Sequence, residues 1–173
     1  MTKGIALGIL FDIIPAFAPL DLQTARDGDY ISLRNCQHVT VLVTKGVGTD
    51  GDDPSISFQQ ATSVAGGSVK DLAVIDEYWE KEAATDLTGT GVWTRVTQTA
   101  SATVAPGDPS AQSAAMYVFE IDADELDADN DFDCIRVRIA DTGTNAQLGT
   151  ALYILSGLRY MTRPQNQPNS ILY

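Results

Sequence analysis

The sequence predicts an all-β protein: an antiparallel eight-stranded β-sandwich, jelly-roll-like, with an extended N-terminal arm. Three observations lead there. Segments after residue 28 alternate apolar and polar side chains with a period of two, which turns one face of each toward a core. Clusters of Gly, Asp and Pro separate these segments at short intervals. Only one stretch, 122–128, carries a helical signature, so crossover helices for a parallel sheet are missing.

Tyr30 to Arg34 reads as a short first strand with Ile31 and Leu33 inward. His38 to Thr44 is the clearest, with Val39, Val41 and Val43 on one face and Thr40 and Thr44 on the other. The loop Gly46 to Pro54 is punctuated by Gly, Asp and Pro. Ser55 to Thr62 follows, with Ile56 and Phe58 sharing a face. Gly66-Gly67 turns the chain into Leu72 to Trp79, and the run Thr88 to Gly91 turns it into Val92 to Thr99. After the turn Pro106 to Pro109, Met116 to Ile121 aligns Tyr117, Phe119 and Ile121. Asp122 caps a short helix to Ala128, with Glu125 closing a capping box. Phe132 to Ala140 turns Ile135, Val137 and Ile139 inward and Arg136 and Arg138 outward, and Thr150 to Tyr160 closes the set.

Eight such strands indicate a sandwich, with a barrel as the second choice. No fixed period is visible, which excludes a propeller or solenoid. The expected division is an apolar arm over 1–28, a sandwich domain over 29–160 and a polar tail over 161–173.

The chain has 173 residues, a length that suits one domain, and a hydrophobic content of 44% excludes wholesale disorder. Eleven Lys and Arg stand against 23 Asp and Glu, for a net charge of -12. That balance argues against nucleic acid as a direct partner, since duplex binding needs a basic footprint. Near the N-terminus, Lys3, the apolar run Ile5 to Phe11 and Ala16-Phe17-Ala18 imitate a secretory signal. Asp12 interrupts the run and Pro19 would follow the cut, so the expectation is a chain that stays where it is made, with Cys36 and Cys134 reduced. The stretch Gly4 to Leu20 is too short and broken to span a bilayer.

Chemistry-bearing patterns are few. His38 is the single histidine and follows Cys36 by two residues, a spacing that shares a strand face and permits a Cys–His contact; the simpler reading is two packed residues at a strand entrance. Asp127-x-Asp129-x-Asp131 opens like a calcium loop, but Phe132 stands where the turn needs Gly and Arg138 where the bidentate Glu belongs. Asp50, Asp52 and Asp53 read as a turn bonded to itself. Trp79 and Trp93 flank the loop 85–91 as core or interface aromatics, with a sugar platform as the alternative. No catalytic residue, cofactor or metal site is expected.

The segment Asp29 to Val41 (DYISLRNCQHVTV) resembles a recurring opening among small virion proteins of tailed bacteriophages. Phe58 to Thr62 (FQQAT), Lys70 to Val74 (KDLAV), Phe132 to Val137 (FDCIRV) and Ala151 to Ser156 (ALYILS) continue the likeness over roughly residues 20–160. The resemblance implies a non-enzymatic capsid decoration or cement protein, with no active-site residues to carry over. It implies a virion location after assembly in the host cytoplasm and the major capsid protein as partner, without membrane or nucleic acid. A tail-tube or head–tail connector component, or a carbohydrate-binding jelly-roll module, is the alternative. The apolar arm is not matched by the family pattern. Its residues Ile5, Leu7, Leu10, Phe11, Ile13, Ile14, Phe17 and Leu20 would each cost about 1.5–3 kcal/mol in water. They are therefore expected to cover a neighbouring copy in a homotrimer, with Arg136 and Arg138 facing an acidic partner.

Overall fold

Strands form where the alternation is strict. The computed structural model describes residues 7–83, 91–107 and 112–159. A single helical turn, Leu7–Leu10, leads into β1 (Asp12–Asp21). Next come β2 (Arg26–Asp27), β3 (Ile31–Ser32), β4 (His38–Lys45), β5 (Ile56–Ala61) and β6 (Val69–Asp71). The remainder are β7 (Ile75–Ala83), β8 (Thr94–Ser101), β9 (Thr103–Val104), β10 (Ala114–Asp122), β11 (Cys134–Ile139) and β12 (Leu148–Ser156). They make two antiparallel sheets. Sheet A runs β1-β12-β4-β10-β7-β8; sheet B runs β2-β11-β5-β6, with β3 beside β11 and β9 beside β5.

The protein is thus all-β, and the expected eight strands become twelve among the described residues. Each expected strand has a counterpart; β1, β2, β6 and β9 are additional, and a jelly-roll path is not established by this strand order. The helix expected over 122–128 is instead two 3-10 turns, Ala123–Glu125 and Ala128–Asn130. Glu125 does accept the Asp122 N–H at 2.8 Å, so the cap forms without a helix behind it.

The larger correction concerns the arm. Residues 12–21 are not a separate segment reaching for a neighbour, because β1 pairs with β12 of its own sheet from Asp12↔Leu155 to Asp21↔Leu148. Ile14 and Ala16 enter the chain's own core. Pro15 and Pro19 are tolerated because β1 is an edge strand, and the register shifts on both sides of Phe17. The opposite edge differs: β8 pairs with β7 on one side, carries no proline, and has no strand on its other side among the described residues.

Inward side chains of both sheets meet at Phe58 and Phe119, whose rings lie edge to face at 5.0 Å, with Tyr78 5.5 Å from Phe119. Val39, Val41 and Val43 are buried beneath them, as the alternation requires. The same phase turns Lys45 inward, where its Nζ donates to the Ser113 carbonyl at 2.5 Å and burial pushes its pKa down to about 8.

Tyr153 ties the sheets together. Its ring is fully buried in β12; its hydroxyl accepts the Val137 N–H of sheet B at 2.9 Å and donates to the Asp29 carbonyl at 3.1 Å. Gly28 makes the approach possible, since a Cβ there would sit 2.7 Å from that hydroxyl. Tyr153→Phe keeps the packing but strands the buried Val137 N–H and frees the Asp29 carbonyl, so stability should fall by about 1–3 kcal/mol. Urea unfolding should show a lower midpoint with an unchanged m-value.

Candidate interaction surface

The most distinctive surface lies on the outer face of sheet A, where pairing between β7 and β10 stops. That pairing runs from Ala83↔Ala114 to Trp79↔Val118 and no further, while β10 continues along β4 to Asp122↔His38. On β7 the phase also breaks. A register shift between Ile75 and Glu77 turns both Ile75 and Tyr78 inward, three residues apart, and so sends Trp79 outward.

Two hollows flank Trp79. One, of about 370 Å3, is lined among the described residues by Trp79, Trp93 and Val118. Trp79 and Trp93 are 40% and 42% exposed, and Val92 beside them is 81% exposed. Lys81 Nζ stands 5.7 Å from the Trp93 ring centre. The second hollow, of about 200 Å3, opens where the strands part; Trp79 and Val118 form one wall and carboxylates of Asp76, Glu77, Glu120, Asp122 and Glu125 much of the rest.

His38 sits among those carboxylates. Its Nδ1 lies 2.6 Å from Asp122 Oδ1, its Nε2 meets Glu120, and the Thr40 hydroxyl donates to the same Glu120 carboxylate at 2.7 Å. Burial lowers the ring's pKa; Asp122 and Glu120 raise it and prevail, holding it above 6.5. The folded chain therefore binds this proton more tightly than the unfolded one. The resulting stability is complete below the unfolded value and lost as pH rises through the folded value. A His38→Gln variant should fall behind the parent most between about pH 5 and 6.5, with the gap closing at higher pH. Melting curves across that range check it, and a pH-independent gap would refute the assignment.

The contact between the Cys36 thiol and the His38 ring permitted by their spacing does not form; the thiol meets His38 only at its backbone. The Cys36 thiol turns to the Leu33 carbonyl at 3.6 Å, and burial pushes its pKa up to about 11. Burial likewise pushes Cys134 up to about 12, so neither is a thiolate near neutral pH. Asp127 is taken up by Lys70 and by the Asn130 amide, 2.9 Å from each carboxylate oxygen. No three His, Cys, Asp or Glu side chains are gathered as metal ligands among the described residues. The Asp52 carboxylate bonds outside its own turn, accepting the Asn145 N–H at 3.0 Å and the Asn145 side-chain amide at 2.9 Å. Gly143 lies against it at φ +128°, where a Cβ would overlap the carboxylate.

The interface residues expected from the sequence scatter. Ile5 lies outside the described residues. Leu7, Ile13 and Leu20 are exposed, Leu10 and Phe11 half-buried, Ile14 buried, and Phe17 packed on the chain's own core. Arg136 and Arg138 do face outward, but from sheet B, and both reach Asp27 of β2, at 3.3 and 2.6 Å. Arg136 also donates to Gln59 and covers the Tyr30 ring at 4.7 Å.

Among the described residues no helix is long and apolar enough to cross a membrane. No family model matches the chain, and no curated protein matches it. A solved structure, the SPBc2 prophage-derived protein YomS, aligns over 83% of this chain and 92% of that chain, with TM-score 0.39 and 8% identity. A likeness at that level defines neither a shared fold nor a shared role.

Proposed function

We propose that the chain is a non-enzymatic structural protein of a phage virion, a decoration or cement protein that binds and stabilises the head shell. The surface at Trp79, Trp93 and Val118 carries this reading. Large apolar side chains gather there on the outer face of a sheet whose inner face already fills the core, and exposed area of that kind marks a protein docking surface. The phage setting comes from the resembling segments, which supply β3, β4, β5, β6, β11 and β12. The partner in this reading is the major capsid protein. Copies are proposed to meet as a cyclic trimer on the shell, through contacts outside β1. Mass spectrometry of purified particles tests it: a fixed ratio near that of the major capsid protein is expected. A few copies would instead favour a tail-tube or connector role, and absence would overturn the proposal.

A carbohydrate-binding role is favoured by one observation, two exposed tryptophans beside carboxylates. A glycan array with and without chelator decides it, since no binding in either condition removes the idea.

A further inference from the structure

We propose that the Trp79–Trp93–Val118 hollow receives a segment of another protein that carries a large apolar side chain beside a lysine or arginine. The inference deepens the virion reading, on which it rests in taking the occupant to be a protein.

The apolar requirement comes from the hollow itself, about 370 Å3, whose lining among the described residues is Trp79, Trp93 and Val118, extended by the exposed Val92. An aliphatic or aromatic side chain placed there removes two half-exposed indoles from water, the kind of aromatic anchor that dominates binding energy. Charge complementarity fixes the rest of the occupant. Around the notch Asp76, Glu77, Glu120, Asp122 and Glu125 stand against His38, with Lys81 and Arg95 the cations of β7 and β8. A second copy of the chain would bring the same excess of negative charge to the contact and be repelled.

A basic segment meets the opposite field. Trp79 and Val118 are shared by the apolar hollow and the acidic notch, so the two sites abut. On an extended segment, side chains two residues apart share a face at about 7 Å, a separation that serves neighbouring hollows. The methylene stem of a lysine or arginine can lie along Trp79 while its head reaches the notch carboxylates.

The test uses the full chain and short synthetic peptides, read by tryptophan fluorescence. One peptide pairs leucine with lysine two residues apart, a second replaces lysine by glutamate, and a third replaces leucine by serine. The leucine–lysine peptide should bind about tenfold more tightly than either control, and added salt should weaken it. Trp79→Ala should weaken it about tenfold, and the exposed Asp76→Lys severalfold, with unchanged melting curves. No peptide binding up to about 1 mM, equal binding of the glutamate peptide, or affinity unaffected by Trp79→Ala would overturn the inference. So would glycan binding, or a dimer in sedimentation, that is lost in Trp79→Ala. Particle incorporation separates the two readings. Wild-type copy number in both variants sinks this inference and leaves decoration standing, whereas a parent chain absent from particles sinks decoration and leaves the peptide result to decide here.

Discussion

Removing residues 1–21 should leave a chain that no longer holds its fold. The deletion takes away all of β1, and with it Ile14 and Ala16 from the core and the partly buried Phe17 packed on it. It also uncovers one side of β12, whose residues Leu148–Ser156 include Leu152, Ile154 and Leu155. Burial of a single aliphatic side chain of this kind is typically worth 2–5 kcal/mol on truncation, so the summed loss should be about 4 kcal/mol or more. Small domains hold only about 5–15 kcal/mol in total. Far-ultraviolet circular dichroism and solubility on expression provide the check. Soluble protein with an unchanged melting temperature would show that β1 is dispensable to the sandwich.

Phe119→Ala should be the most damaging single substitution in the core, at about 3–5 kcal/mol. Phe119 is fully buried on β10, its ring edge-on to Phe58 from the opposite sheet and tilted against Tyr78 of β7. Truncation removes its buried area and leaves both partner rings facing a void that β-strand backbones cannot close. Phe119→Leu, which refills most of the volume, should recover much of the loss. Denaturant unfolding of the pair provides the measurement, and equal stability of the two variants would contradict this packing.

The most legible strands were those with uninterrupted alternation and both neighbours in place. Val39, Val41 and Val43 in β4, Tyr117, Phe119 and Ile121 in β10, and Ile135, Val137 and Ile139 in β11 all point inward as their spacing predicts. β1 was hidden because Pro15 and Pro19 argue against a strand in general and are tolerated only at an edge, a position that sequence does not reveal. Two-residue bridges such as β2 and β9 carry too few residues to show any period. The capping pattern at Asp122 was read correctly, yet the turn behind it ends at Glu125 because Leu126 returns to extended backbone.

The candidate surface was harder to see. Trp79 and Trp93 were recognisable as chemistry-capable aromatics, but the exposure of Trp79 follows the phase break between Ile75 and Tyr78, where the β7–β8 register shifts. His38 could be singled out from sequence alone, whereas Glu120 and Asp122 reach it only through the register of β4 against β10. Asp52 likewise depends on Asn145, a partner brought close only by the fold.

The unequal edges of sheet A limit how copies could stack. At the β1 edge, two prolines and two register shifts spoil the ladder that an incoming strand would need. At the β8 edge, Thr94–Ser101 offers a polar, proline-free ladder whose one charged residue, Arg95, is paired with Glu77. Growth by strand addition is therefore terminated at one end by construction. Among the described residues, two sheets A joined through their β8 edges leave only the obstructed β1 edges, so sheet A closes as a pair and does not extend further by strand addition.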